Sequence, residues 1–276
     1  MSKGAAHCGV SQSAASQHVQ EVERRLGLTV FDRTRRPMEL TTAGRIYASF
    51  CRDVLERERE MELELEALKA EFGGTARVAS IYSIGLSEMS RLQEEFTSRH
   101  PAAQLHVEYM RPDKIYEAVV NDSADLGLVS YPVPSRDVAV IPWRNEEMQV
   151  AVPPSHPFAA RNAVYPADLN GQDFIAFDED LSIRRELDRF MKAQGIEVNA
   201  VLHFDNIQMI KSAVAHGSGI SILPARTMQE ELAQGSLVAL RLEADLVRPV
   251  GIVHRKRKRF NRATQSFLEL LAPAPA

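Results

Sequence analysis

Between Ser11 and Leu26 the apolar residues Ala14, Ala15, Val19, Val22 and Leu26 recur at helical spacing among polar ones. Ser11 stands where an N-cap belongs and Gly27 where a helix stops. Ahead of this helix, Ala5 to Cys8 reads as the end of another short one, with Gly9-Val10 as the turn. Behind it, Leu28-Thr29-Val30-Phe31 and Met38-Glu39-Leu40 flank Asp32-Arg33-Thr34-Arg35-Arg36-Pro37, which predicts a two-stranded wing with a basic tip. Thr41 or Thr42 then caps a long helix that runs to about Phe72. Along it Tyr47, Cys51, Val54, Met61, Leu65, Leu68 and Phe72 follow alternating three- and four-residue steps, with Glu58 as the polar intruder. Such a seam predicts pairing with another helix, the plainer alternative being a solvated helix lying on its own domain. Gly73-Gly74 closes the rod as a hinge.

Beyond Thr75 the pattern changes. Strand-like runs at 76–82, 104–109, 125–129, 148–152, 174–176, 201–204, 220–223 and 250–254 alternate with helical ones at 85–99, 114–121, 184–194, 208–216 and 262–271. This alternation predicts an α/β domain of mainly parallel sheet covered by helices. The fold class is thus α/β, behind a helical head and a linker helix.

Composition narrows the picture. The chain has 276 residues, room for two or three compact units, with ordinary apolar and charged fractions. No stretch approaches the ~18 apolar residues of a membrane span, and Met1 to Cys8 lacks the apolar core of a secretory signal. A cytoplasmic protein without membrane contact is expected. Two cysteines, Cys8 and Cys51, suggest neither a disulfide framework nor a zinc site. The net charge of −4 argues against general coating of nucleic acid, but its distribution says more. Residues 1–46 carry seven Lys/Arg against four Asp/Glu, and residues 47–74 four against eight. A basic head on an acidic rod is the charge pattern of a short DNA reader on a solvated spacer.

The segment Ser11-Gln12-Ser13-Ala14-Ala15-Ser16-Gln17-His18-Val19-Gln20-Glu21-Val22-Glu23-Arg24-Arg25-Leu26-Gly27 is followed by Val30-Phe31-Asp32-Arg33, the basic wing and Leu40-Thr41-Thr42-Ala43-Gly44. This order resembles the DNA-binding head of LysR-type transcription regulators. Ala124-Asp125-Leu126-Gly127-Leu128 and Gly217-Ser218-Gly219-Ile220-Ser221-Ile222-Leu223-Pro224 are similar to signatures of that family's effector domain, so the resemblance covers essentially the whole chain. It implies a winged helix-turn-helix DNA-binding domain over 1–46, a linker and dimerisation helix over 47–74, and a two-lobed effector domain over 75–276 resembling periplasmic solute-binding proteins. Lobe one would comprise 75–147 and 251–276, and lobe two 148–250. The family has a helix ahead of the segment that begins here at Ser2. Without it the head is expected to be incomplete, leaving apolar surface open at a cost of about 25 cal/mol per Å².

A recognition helix enters the major groove with its N-terminal residues nearest the bases. Here those are Gln12, Ser13, Ser16 and Gln17, short or amide side chains able to bond base edges. Ser11 and Thr41, at helix starts, can offer hydroxyls and N–H groups to phosphates. Arg33, Arg35 and Arg36 would hold the flanking backbone or enter a narrow minor groove. Plain caps and a solvated turn are the bland alternative for the last five. The expected partner is double-stranded operator DNA read by a homodimer, or by a homotetramer on the family's resemblance.

For the α/β half, ligands in open sheets sit beyond strand ends where helices begin. Tyr82-Ser83-Ile84, Ser130-Tyr131, Ser182-Ile183-Arg184 and Asp205-Asn206 occupy such junctions. Hydroxyls and N–H groups at helix starts favour an anion, and Arg184 could pair with its carboxylate; alternatively Arg184 bridges Asp180 or Asp188. Leu181-Ser182-Ile183-Arg184 lacks the threonine of the Ser-Gly-Thr-Arg-like turn common among relatives, which favours a somewhat larger, partly apolar organic anion over a sulfate-like ion. Glu147–Met148 and Val250–Gly251 are expected to be the hinges between lobes. His254-Arg255-Lys256-Arg257-Lys258-Arg259 reads as a solvated strand end rather than a second nucleic-acid patch. No cofactor, metal site or nucleophile–base pair is expected, so the chain is not expected to be an enzyme. The runner-up is a cytosolic solute-binding sensor with a defective DNA-binding head.

Overall fold

The computed structural model describes residues 4–5, 8–34, 37–69 and 74–272, and for 59, 60 and 62–69 the backbone alone. The chain divides into two units, residues 1–69 and 70–276.

In the first unit, helix α1 spans Gln12–Leu26. Ser11 is extended (φ −69°, ψ 153°), and its Oγ accepts the Ala14 N–H at 3.2 Å. Gly27 closes the helix in the left-handed region at φ +65°, where a side chain would be strained. Strands β1 (Phe31–Asp32) and β2 (Glu39–Leu40) pair antiparallel, Phe31 opposite Leu40, to make the wing. Helix α2 then runs Thr42–Lys69. Its start is pinned to the wing. Thr41 Oγ1 donates to the Thr29 carbonyl at 2.7 Å and accepts the Gly44 N–H at 2.9 Å, while the Thr41 N–H donates to the Val30 carbonyl. A Cβ on Gly44 would lie 1.9 Å from the Val30 oxygen, so this approach requires glycine. Of the seam residues, Tyr47 and Cys51 are half-buried within the single chain, Val54 and Met61 are exposed, and Ile46, Phe50 and Leu55 add to the uncovered apolar surface. The side chains of Leu65 and Leu68, and Phe72, lie outside the described set.

The second unit holds two cores. Around the first, β3 (Gly74–Ser80) lies parallel to β4 (Ala103–Tyr109) and β5 (Leu126–Ser130). Helices α3 (Ser90–Arg99), α4 (Pro112–Val120) and α8 (Arg262–Leu271) cover that sheet with Phe96, Ile115, Val119, Phe267 and Leu271. The second core is built on β8 (Asp173–Phe177) and β9 (Asn199–Phe204), parallel to each other, with β7 (Ala163–Val164), β10 (Ser221–Pro224) and β11 (Val238–Leu242). Helices α5 (Ser182–Gln194) and α6 (Ile207–Ala215) pack Leu187, Met191, Ile210 and Val214 into it, and the short α7 (Gln229–Gln234) follows.

Two long strands join the cores. Strand β6 (Val138–Val152) and strand β12 (Val247–Arg255) are antiparallel, and β12 is also antiparallel to β5. The expectation of mainly parallel sheet therefore needs correcting where the two cores of the second unit join. There the chain crosses between lobes as antiparallel strands, which need no helical crossover. At Glu147–Met148, β6 changes partners, from Val247 of β12 to Pro224 of β10; at Val250–Gly251 the β12–β6 register shifts. The basic run after β12 is tied to lobe one: Lys256 Nζ donates to the Ser135 carbonyl at 2.8 Å, and Lys258 pairs with Asp122 and with Asp125 at 2.8 Å.

Candidate ligand cleft and nucleic-acid interface

In the head, Ser11, Gln12, Ser13 and Gln17 are exposed and Ser16 is half-buried, all in the first turns of α1. Positions 12, 13, 16 and 17 share one face, as helical spacing requires. Ser11 is the cap and its Oγ lies 2.9 Å from that of Ser13. The Thr41 hydroxyl, half-buried, holds the wing to α2. Arg33 donates to Glu23 Oε2 at 2.8 Å, and Glu23 Oε1 accepts the Val30 N–H at 2.8 Å. Glu23 thus ties α1 to the wing, a role that sequence reading did not assign. Arg35 and Arg36 lie outside the described residues.

In the second unit a cleft of about 60 Å³ opens between the lobes. Four chain segments meet there, each at the start of a helix. They contribute Ile81, Tyr82 and Ser83; Met110, Arg111 and Pro112; Leu181, Ser182 and Ile183; and Asp205 with Ile207. The helices beginning at Tyr82 and Ser182 carry no side-chain cap, and both starts line the cleft. Ser130, Phe177 and Arg248 complete the lining.

Of the sequence-predicted residues, Tyr82, Ser83, Ser130, Ser182, Ile183 and Asp205 meet in this cleft. Ile84 does not; it is fully buried in the first lobe's core. Asn206 caps α6, its side chain accepting the Gln208 N–H at 2.8 Å. Arg184 is held by Asp188 at 2.8 Å and by the Phe177 carbonyl, and is not part of the lining. Tyr131 borders a separate hollow with Trp143 and Pro132. Its hydroxyl is buried without a partner among the described residues, and burial pushes it up to about 12.

Two cations do line the cleft, Arg111 and Arg248, and Arg248 is 2 % exposed. It stands opposite Glu146 in the β12–β6 ladder; its Nε donates to Glu146 Oε2 at 3.0 Å and its Nη1 to Ser83 Oγ at 2.9 Å. Burial lowers the Arg248 guanidinium, with Glu146 opposing; an arginine nevertheless stays charged. For Glu146 burial acts upward, but Arg248 and Arg144 outweigh it and hold the carboxyl below its ordinary range. At the mouth, Arg111 of the first lobe reaches Asp180 and, at 2.9 Å, Asp205 of the second. Sequence reading missed Arg248, Glu146 and Arg111. The one available signal was period-two placement of charges, Arg144-x-Glu146 and Arg248 beside apolar Val250–Val253, in strands otherwise fit for burial. Among the described residues no group of three His, Cys, Asp or Glu could hold a metal, and no helix is long and apolar enough to cross a membrane.

Residues 1–45 match the family described as bacterial regulatory helix-turn-helix protein, lysR family, and residues 69–276 the LysR substrate binding domain. The chain is similar to the RuBisCO operon transcriptional regulator of Allochromatium vinosum, 28% identical over 95% of this chain and 87% of that one. Its second unit is similar in structure to the regulatory domain of Synechocystis PCC6803 CcmR in complex with 2-PG, at a TM-score of 0.65 and 25% identity over 72% of this chain and 95% of that one. A full-length OxyR variant from Pseudomonas aeruginosa shares the fold at a TM-score of 0.71 and 22% identity, over 98% of this chain and 87% of that one.

Proposed function

The chain belongs to the LysR family of bacterial helix-turn-helix regulators, DNA-binding proteins switched by small effectors and not enzymes, and on that premise we propose that its effector is a small anion held on Arg248 and Ser83. The single observation that carries this reading is a guanidinium 2 % exposed that nonetheless lines the cleft. A buried arginine with a ligand-accessible edge is a charge-assisted donor in a low-dielectric site, where such a bond is strong. The start of α5 at Ser182, which has no side-chain cap, adds the positive end of a helix dipole beside it. The apolar part of the lining, from Ile81, Met110, Phe177, Leu181, Ile183 and Ile207, suits a short carbon skeleton. CcmR, whose regulatory domain takes 2-PG, makes that compound the first to test. RuBisCO operon promoters, after the similar regulators, are the first DNA.

The head would read operator DNA through Gln12, Ser13, Ser16 and Gln17, with α2 pairing two copies so that a two-fold protein meets a two-fold site. The lobes would turn about the strand irregularities at Glu147–Met148 and Val250–Gly251. Calorimetric titration of the full chain with 2-PG, inorganic phosphate and short carboxylates tests the anion. Saturation should raise the melting temperature, since a ligand at 100 times its Kd adds about 2.7 kcal/mol. Ser83→Ala should weaken binding about tenfold or more, the worth of one hydrogen bond to a charged group. Loss of Arg248 would leave Glu146 Oε2 buried without its counter-charge, so Ser83 is the cleaner probe. An affinity untouched by Ser83→Ala would remove the anion from this position.

A further inference from the structure

Arg226 lies outside the cleft, on the turn Ala225–Met228 of the second lobe, yet its guanidinium reaches Glu88 of the first. Glu88 also accepts from Arg144 Nη1 at 2.7 Å. Arg144 donates to Glu146 Oε1 through Nε at 2.9 Å and Nη2 at 2.8 Å, while lying 3.9 Å above the Trp143 ring. The other oxygen of Glu146 takes Arg248, and Arg248 takes Ser83. Ser83 and Glu88 are five residues apart on one helical segment, brought to the same face by the π-helical turn Gly85–Met89. A closed ring results: Arg248, Glu146, Arg144 and Glu88 alternate in sign, Ser83 is the joint at the cleft, and Arg226 is attached from the other lobe. Glu88, Glu146 and Arg248 are buried, so water screens little of what passes along the ring.

On the reading that an anion docks at Arg248 and Ser83, we propose that Arg226 and Glu88 are positioning residues for it, their ion pair between the lobes tightening as the anion arrives and strengthening its hold. An anion on Arg248 competes with Glu146 for that guanidinium. Glu146 then holds Arg144 more strongly, Arg144 releases part of its hold on Glu88, and Glu88 turns to Arg226. The Arg226 side chain is 57% exposed, so by itself its pair with Glu88 contributes little and is able to respond. Because the two residues belong to different lobes, the chemistry at the cleft floor becomes a change in how the lobes are tied. Linkage makes the effect reciprocal: whatever the anion adds to the pair, the pair adds to the anion.

The test is the affinity of the full chain for 2-PG and for inorganic phosphate, by calorimetry, with thermal melts confirming that each variant is folded. Arg226→Gln should weaken both about three- to tenfold, and Arg226→Lys should restore most of it. In a Glu88→Gln background Arg226→Gln should change nothing further. A loss that persists undiminished there would mean that Arg226 acts by its charge alone, and unchanged affinities in Arg226→Gln would mean that it does not act at all. Either outcome overturns the coupling and leaves the cleft reading standing. If neither anion binds the unmodified chain, the cleft reading fails and the coupling with it.

Discussion

Single residues show how closely polar groups are assigned here. Gly44 is the narrowest case: a Cβ would overlap the Val30 carbonyl oxygen, a backbone atom that cannot step aside. Gly44→Ala should cost about 3 kcal/mol in the head, the upper range for overpacking. Calorimetry of the full chain should show operator binding lost while the melting of the second unit is unchanged. Asp125 makes a second case. Burial acts to raise its carboxyl, but hydrogen bonds and charge from Arg77 and Lys258 outweigh that and hold it below its ordinary range. The unfolded chain titrates this group near about 4. Its stabilisation is therefore complete above that pH and is lost as the pH falls through the lower folded value. Melting temperature recorded from pH 7 downward should drop below about pH 4, and Asp125→Asn should flatten part of that drop. An equally steep drop in the variant would assign the acid sensitivity to other carboxylates, Glu146 first among them.

Among the elements, α2 stands apart, because Ile46, Phe50, Val54, Leu55 and Met61 leave apolar surface uncovered on one chain. A solvated helix with that much apolar surface calls for a partner, and the seam through Leu65 and Leu68 supports a second copy of the same helix. Light scattering at micromolar concentration should report a dimer or tetramer. Replacing Leu65 and Leu68 by glutamate should yield a monomer, and a monomeric unmodified protein would rule out the pairing. In α1 the Ser11 hydroxyl caps the helix and the amides of Gln12 and Gln17 are exposed, as the proposed base reading requires. Gln12→Ala should lose about 1–3 kcal/mol of base discrimination in competition binding with altered operators.

At the scale of the whole molecule, effector and operator are two ligands of one protein. If each prefers one arrangement, their affinities are coupled by about 1–3 kcal/mol, and the factor is the same in both directions. Titrating 2-PG with and without operator DNA, and operator with and without 2-PG, should return equal ratios. Ser83→Ala should raise the 2-PG concentration needed for the effect about tenfold or more while leaving operator affinity in its absence unchanged. Unequal ratios would mean that the two ligands do not share a single equilibrium.

Much of this architecture is written locally. The α1 stripe with Ser11 and Gly27 at its ends, the wing around its basic tip, and the helix Arg262–Leu271 follow from periodicity and capping, which act over one or two turns. So do the helix starts that line the cleft, because Ser83, Ser182 and Asp205 stand where strands end. What the sequence could not decide was which charges those starts would meet. Arg184 read in one dimension either as a ligand contact or as a partner of Asp180 or Asp188, and in the structure it bonds Asp188, one helical turn away. Arg248 looked like an ordinary strand residue, and only the pairing of β12 with β6 across 102 positions of chain sets it against Glu146 at the floor of the cleft. The first half of β6 went unread for the same reason: Arg144 and Glu146 break the apolar alternation of a strand until the partners that neutralise them arrive from elsewhere. Burying a charge is costly without its counter-charge, and the counter-charge is supplied by tertiary structure alone.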